Sequence, residues 1–347
     1  MERALPFHRC EVREVRRIAP DLVKVSLDPG PDYRAAWLDV PGGFVTFNLP
    51  LTPRLERSYS LVSAPHDPYP RIAVKELPGG RGSAFFNRAL RPGMTLDVLP
   101  PRTRLYEPWM DNSPRHWVLF GAGIGVTPLL GLARHALAAH PHNRVSLFLG
   151  NRSLKSIPLY DACNHLAANE RAEVRYVFSD GSSAESLFNG RIDALKTPDL
   201  LQDARTHFPQ HPPMEMLGFV SGPGDMPESV RQGWTSAALP LHHLRAERFH
   251  FPPGKSGPTE AAPSSTITFR RGQEVWSVHM HSGTETLLSA AIRAGVPVNH
   301  QCRGGVCGTC KATMISGEVK SDKPLGGGQI LCCQSRPVSR DIEVKLG

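Results

Sequence analysis

The chain opens with short runs in which apolar and polar residues alternate: CEVREVRRI (10–18), LVKVSLD (22–28), FVTFNLP (44–50), RSYSLVS (57–63), RIAVKEL (71–77) and TLDVLP (95–100). A period of two turns one side chain inward and the next outward, and Gly, Pro and Asp punctuate the runs. Residues 1–112 therefore predict a small antiparallel barrel, interrupted by one helix starting near Ser83. At His116 the texture changes. HWVLFGAG (116–123) is continuously apolar, as expected of a strand buried on both faces. Helical VTPLLGLARHALAA (126–139), strand-like VSLFLGN (145–151), helical LYDACNHLAAN (159–169), and strand-like AEVRYVFSD (172–180) and EMLGFVSG (215–222) follow. Strands alternating with helices predict a parallel sheet with crossovers over 113–250. FPPGKSGPTEAAPSS (251–265) lacks periodicity and has linker composition. From 266 to 347 two short strands and a helix near Glu285–Ala294 precede a cysteine loop.

Composition narrows the class. The 347 residues suffice for two or three domains with their own cores. No apolar run approaches the roughly 18 to 20 residues that span a bilayer, so membrane insertion is not expected. MERALPFHRCEVREVRR at the N-terminus has no apolar core of the signal-peptide kind, which sets the expectation of a cytoplasmic protein. The formal charge of +8 raises nucleic acid as a partner. The basic residues are scattered rather than gathered beside aromatic neighbours, which argues against it and favours an acidic protein partner.

Five of the seven cysteines crowd into the last 46 residues: Cys302, Cys307, Cys310, Cys332 and Cys333. Cys302-Arg303-Gly304-Gly305-Val306-Cys307-Gly308-Thr309-Cys310 is a C-x4-C-x2-C run, the spacing of plant-type [2Fe–2S] clusters. Three thiolates must converge on one compact cluster. Gly304, Gly305 and Gly308 let the backbone turn tightly, with positive φ where needed, and aim N–H groups at sulfur. A zinc ribbon would present paired C-x2-C knuckles, and the run holds one such pair.

The third segment resembles a plant-type ferredoxin, and ILCCQSRPVS (330–339) resembles the stretch around that family's last ligand. The resemblance selects Cys333 as fourth ligand beside Cys302, Cys307 and Cys310, and leaves Cys332 as a neighbouring thiol. Upstream, PGGF (41–44), Arg57-Ser58-Tyr59-Ser60-Leu61, VKELPGGRGS (74–83) and Gly121-Ala122-Gly123-Ile124-Gly125-Val126-Thr127-Pro128 follow in order. This succession resembles the ferredoxin–NADP reductase superfamily. The whole chain is similar to three-domain oxygenase reductases of the phenylacetyl-CoA-oxygenase and phthalate dioxygenase types.

The resemblance implies a flavin-binding β-barrel, an α/β nicotinamide domain and an α+β β-grasp ferredoxin domain. In the flavin set, Arg57 would pair with a phosphate through its planar fork, Tyr59 would pack on the ring, and Ser60 would reach its N5 edge. Leu61, Val74, Lys75, Gly82 and Ser83 complete that set, the last two at a helix N-terminus suited to phosphate. In the nicotinamide set, Gly121, Gly123, Gly125, Thr127 and Pro128 would admit a pyrophosphate to the start of a helix. Asn151 and Arg152 follow the second strand of that domain. Ser221, Gly222, Pro223 and Met226 resemble the stretch beside the nicotinamide ring, with Ser221 where the family usually has Cys. Glu247-Arg248-Phe249 resembles the E-x-F that closes the domain. Ser60, Ser221 and Glu247 would shape the hydride-transfer site.

FAD is favoured over FMN by FHRCEVREVRR (7–17), LFNGRID (187–193) and CQSRPVS (333–339), whereas PPRTRLYEP (100–108) resembles the loop of FMN-using relatives. Arg152 and Ser153 suit NADPH and Asp180 suits NADH, which leaves that choice open. The leading reading is the reductase component of a Rieske or di-iron oxygenase. Between Thr266 and Gly347 ten basic side chains face six acidic ones, which predicts an acidic docking face on the acceptor. A stand-alone oxidoreductase for a small acceptor and a redox-sensing interaction protein are the alternatives.

Overall fold

A computed structural model of the chain describes residues 7–52, 55–63, 66–248, 264–280, 285–300, 305, 308–321 and 325–347. The chain divides into two compact units, Leu5–Phe249 and His250–Gly347.

The first unit begins with β1 (His8–Ala19), β2 (Leu22–Asp28), helix α1 (Pro31–Leu38), β3 (Phe44–Leu49), β4 (Leu55–Ser60), β5 (Arg71–Lys75), the short helix α2 (Arg81–Ala84) and β6 (Thr95–Arg102). The six strands hydrogen-bond in the order β4-β3-β6-β1-β2-β5, all antiparallel. A bridge between Leu61 and Ile72 then joins the two edges and curls the sheet closed. Closure removes the exposed edges that an open sheet would leave. Alternate side chains meet inside: Val12, Val23, Val25, Phe47, Ile72 and Val98 are all at most 1% exposed. The helix after β5 begins at Arg81, two residues before the expected Ser83, and runs on as a π-helical turn over Phe85–Ala89.

The second half of this unit alternates strictly: β7 (His116–Ala122), α3 (Val126–Ala139), β8 (Arg144–Asn151), α4 (Tyr160–Ala167), β9 (Ala172–Phe178), α5 (Lys196–His207), β10 (Met216–Gly222), α6 (Met226–Ser236) and β11 (Leu244–Arg248). The sheet is parallel throughout, in the order β11-β10-β7-β8-β9. The chain steps outward from β7 to β9, then returns to β10 on the other side of β7. Such a reversal opens a crevice at the carboxyl ends of the two central strands, where open α/β sheets bind ligands. Val118, Leu119 and Phe120 are fully buried, as their unbroken apolar run requires.

Helix α3 docks the sheet onto the barrel. A β-carbon added to Gly42 would lie 2.9 Å from Leu132, and one added to Gly131 would lie 3.5 Å from the Leu61 and Ser63 carbonyl oxygens. Leu22, Val62 and Ala73 of the barrel pack with Ile124 and Leu159. Leu159 holds φ at +58°, an unfavourable conformation for a leucine. Its packing against both halves secures it there.

The other unit contains β12 (Ser265–Arg271), β13 (Glu274–Met280), α7 (Leu287–Arg293), β14 (Lys311–Ser316), β15 (Val319–Ser321), β16 (Gln329–Leu331), β17 (Ser335–Pro337) and β18 (Asp341–Leu346). The main sheet runs β13-β12-β18-β14-β16 with a central parallel pair, β12 and β18, and β15 pairs with β17. Helix α7 is capped at its N-terminus by Thr286, whose hydroxyl accepts the Ser289 N–H at 3.2 Å. Its Leu287, Leu288, Ala290 and Ala291 bury against Ile267, Phe269 and Val344. The architecture is a mixed sheet grasping one helix. Only the first two of these strands are visible in the residue pattern. Most of the expected linker, 251–263, lies outside the described residues. Among the described residues, no helix is long and apolar enough to cross a membrane.

Candidate functional site

The crevice beside β7 and β10 collects most of the nicotinamide set. Beyond β7 the chain makes a single 3-10 turn, Gly123–Gly125, and enters α3 at Val126. Gly123 takes φ +51°, which reverses the strand within one residue. A β-carbon on Gly125 would lie 2.2 Å from the Ser221 carbonyl oxygen, so only glycine lets the loop rest on β10. Gly121 is squeezed between Leu129 and Leu149, and a β-carbon on Gly222 would strike Met226 Sδ at 2.3 Å. Thr127 donates its hydroxyl to the Ile124 carbonyl at 2.9 Å, and Pro128 is buried in the first turn of α3. Pro223 is exposed at the mouth.

Parallel pairing of β10 with β11 sets Ser221 opposite Glu247. Ser221 is fully buried and Glu247 is 9% exposed, yet among the described residues Ser221 Oγ and Glu247 Oε2 have no hydrogen-bond partner. Asn151 Nδ2, at the end of β8, is likewise buried and unpartnered. Buried polar atoms without partners are costly, and such atoms spread over the ends of β11, β10 and β8 fit an extended polar ligand such as a nicotinamide nucleotide. Arg152, next to Asn151 in the chain, is exposed. Burial pushes the Glu247 carboxyl up to about 7, with Arg104 pulling it the other way. Arg104 was missed from sequence, where PPRTRLYEP served only to compare flavins. Phe249 lies outside the described residues.

That shift has a stability consequence. Glu247 binds its proton in the folded chain over a range where an unfolded carboxyl has lost it. Stability therefore falls as pH rises from about 4.5 to about 7 and is level above, a loss of about 3 kcal/mol. Glu247→Gln, which cannot ionise, is expected to flatten this slope and to melt higher than the parent at pH 8. Thermal melts at pH 5 and pH 8 would check it, and equal slopes in both proteins would sink it.

The flavin set gathers at the β4–β5 seam. A β-carbon on Gly82 would lie 3.0 Å from Arg57 Cγ and 3.2 Å from Tyr59 Oη, so the three converge on one cradle. Tyr59 meets Phe86 edge-on at 4.8 Å, and burial raises its phenol above the ordinary range. Arg57 donates to the Glu56 carbonyl at 2.8 Å. Ser83 does not open α2: it is the third residue, and its hydroxyl closes the preceding turn onto Gly80 O and Leu77 N. Ser60 and Leu61 are buried where the barrel meets α3, and Leu61 N–H bonds Gly43 O at 2.7 Å. Val74 is buried in the barrel core, while Lys75 reaches Asp21 at 3.4 Å.

In the other unit Cys310 and Cys333 are hydrogen-bonded sulfur to sulfur, which with burial raises the Cys310 thiol far above its usual range. Two thiolates so close need a cation between them, and a metal deprotonates such thiols outright. This donor set fits iron. Gly305 N–H donates to Cys333 Sγ at 3.2 Å, and Gln334 Nε2 approaches the same sulfur at 3.7 Å. Gly305 and Gly308 take φ of +67° and +62°. Cys332 is fully buried, and burial pushes its thiol up to about 12. Cys302, Gly304 and Cys307 lie outside the described residues. Among those described, no group of three or more His, Cys, Asp or Glu could hold a metal.

A closed barrel, a parallel sheet with a glycine loop at its switch point, and a helix-grasping sheet with paired thiols together define an electron-transfer oxidoreductase. Residues 119–232 match the oxidoreductase NAD-binding domain, and residues 273–338 match the 2Fe-2S iron-sulfur cluster binding domain. The chain is an NAD(P)H-dependent oxidoreductase similar to the reductase components of oxygenases. It is 27% identical over 354 residues to one of the subunits of the 1,2-phenylacetyl-CoA epoxidase of Escherichia coli (strain K12), covering 97% of each chain. It is 28% identical to the 3-ketosteroid-9-alpha-monooxygenase ferredoxin reductase component of Rhodococcus rhodochrous, covering 88% of this chain and 87% of that one. The fold is that of phthalate dioxygenase reductase, with a TM-score of 0.68, 22% identity and 98% of both chains covered.

Proposed function

We propose that the chain takes hydride from NADH or NADPH and passes single electrons through FAD and a [2Fe–2S] cluster to an oxygenase. Bound flavin and cluster would supply the conversion of a two-electron hydride into single electrons, which is cofactor chemistry. The residues of the chain supply position and electrostatics. Arg57, Tyr59 and Gly82 would hold the flavin at the seam where β4 leads to Ser60. The Gly121–Gly125 loop would seat the nucleotide pyrophosphate, with Ser221 and Glu247 beneath the ring and Asn151 beside the adenosine. Cys302, Cys307, Cys310 and Cys333 would ligate iron, with Gly305 N–H polarising Cys333 sulfur. The observation that carries this reading is the pair of buried oxygens on Ser221 and Glu247, unpartnered among the described residues, at the ends of β10 and β11 beside the switch point.

The acceptor would present an acidic face to the basic surface of the iron–sulfur unit, and its rate of reduction would fall as salt screens that attraction. The two relatives named above belong to an epoxidase and to a monooxygenase, which supports an oxygenase in that role. The cytoplasm, where NAD(P)H is available and thiols stay reduced, is the compartment this function requires.

Anaerobic titration with NADH and then NADPH, recording flavin and cluster spectra, tests the proposal, and extraction of the flavin identifies it. Both chromophores are expected to bleach, the flavin with one nucleotide at much lower concentration than with the other. A colourless protein, or one that contains zinc and no iron, would sink it.

A further inference from the structure

A second concave site lies in the first unit and shares only Lys75 with the residues assigned above. We propose that it binds a small organic polyanion, with an apolar body and two or more phosphate, sulfonate or carboxylate groups. The cavity holds about 580 Å³ and is walled by the β1–β2 hairpin, β5, α3 and the segment leading into α4. That size is ordinary for small-ligand sites, and four converging walls suit a small molecule better than a protein surface. Lys75 alone of the flavin set lines it, and none of the nicotinamide set does.

Its floor is apolar, formed by Leu22, Val62, Leu130 and Leu159. Around it stand Arg16, Lys24, Arg71, Arg134 and Lys155, in addition to Lys75. The carboxylates in the lining are Asp21 and Asp161. Asp21 pairs with Lys75 at 3.4 Å, and Asp67, just outside, is shared between Arg71 and Arg134. Arg16, Lys24 and Lys155 have no hydrogen-bond or ion-pair partner among the described residues.

The backbone itself enforces the repulsion. Arg16 and Lys24 are direct partners in the β1–β2 register. Like charges directly opposite across two strands are destabilising. Lys24 is also half-buried, and its ammonium is pushed below its usual range by burial, Arg71, Arg16 and Arg134, with Glu14 opposing them. An anion seated between these cations would relieve a repulsion that the fold leaves standing. The apolar floor would take the rest of the ligand, which is why the class is an organic polyanion and not a bare inorganic ion. Since the walls come from both halves of the unit, the bound ligand would tie the barrel to the parallel-sheet half.

The test is calorimetric titration of the flavin-loaded full-length protein, with saturating NAD+ so that the nucleotide site is filled. The probes are naphthalene-1,5-disulfonate, an aromatic dianion, and inorganic sulfate. The disulfonate is expected to bind saturably and at least about tenfold more tightly than sulfate. R16Q/K24Q is expected to weaken it at least about tenfold while leaving NADH-driven ferricyanide reduction unchanged. The single variants R16Q and K24Q, checked by their flavin spectra, carry the same test if the double variant fails to fold. Each should weaken binding at least about threefold. Absence of saturation, equal affinity for sulfate, or unchanged affinity in folded variants would overturn the proposal. Binding of poly-glutamate without binding of the disulfonate would also overturn it, in favour of a docking face for an acidic protein.

Discussion

Replacing Cys333 by serine is expected to strip iron from the chain while leaving its NAD(P)H-oxidising half at work. Cys333 sulfur is paired with Cys310 and already receives the Gly305 N–H at 3.2 Å. A hydroxyl there removes a thiolate ligand and leaves the remaining thiolates one short of the four that such a cluster needs. The residues that would hold flavin and nucleotide lie in the other compact unit, whose buried clusters include none of the residues around Cys333. Iron should fall from about two atoms per chain to near zero. NADH-driven cytochrome c reduction should fall about a hundredfold, while ferricyanide reduction stays within about twofold of the parent. Cys332→Ser is the contrasting variant. Its side chain is fully buried, so the new hydroxyl costs about 1–3 kcal/mol and lowers the melting temperature, but the iron should remain. Iron retained in Cys333→Ser and lost in Cys332→Ser would exchange the two assignments.

What the sequence made legible follows from how strongly each feature constrains its residues. Barrel strands are most legible where one face is buried and the other is not, as at the start of β6, since a period of two is the direct imprint of that burial, whereas β3 is buried along its whole length. HWVLFGAG was legible for the opposite reason: a central parallel strand is covered on both faces. Helices α5 and α6 passed unnoticed, although Thr197, Leu200, Leu201 and Ala204 lie along one buried stripe. Pro198 and Pro227 both sit in the first turn of these helices, where proline is tolerated. In the iron–sulfur unit, β15, β16 and β17 are three residues each, too short to display any period.

The chemistry divides in the same way. Cluster ligands are legible because several thiolates from one loop must reach one small cluster, which fixes their spacing. The glycine loop is legible because a strand must turn into a helix beside a neighbouring backbone. The neighbour relation between Ser221 and Glu247 is invisible in sequence, since it arises from the register of two strands separated by α6. Arg104 escaped for a similar reason: its bearing on Glu247 is purely spatial.

Gly125→Ala is expected to disable reduction by nicotinamide nucleotides and little else. The added methyl would lie 2.2 Å from the Ser221 carbonyl oxygen and 2.8 Å from its carbon. Those atoms belong to the backbone of a fully buried strand, paired on one side with β7 and on the other with β11. They cannot turn aside as a side chain would, so the 3-10 turn must lift away from β10. Lifting it moves the start of α3 away from Ser221 and spoils the seat proposed for the pyrophosphate. Misplacement on the scale of an ångström costs on the order of a hundredfold in transfer between bound groups. Anaerobic stopped-flow mixing with NADH should therefore show flavin reduction slowed about a hundredfold. Chemical reduction by dithionite should still bleach both chromophores, because neither cofactor's own contacts are touched. Gly131→Ala is the control on the same helix: its methyl would meet nothing closer than 3.5 Å, and alanine favours the helix. Should Gly125→Ala accept hydride at the parental rate, the nucleotide does not lie across this loop, and the switch point serves another ligand.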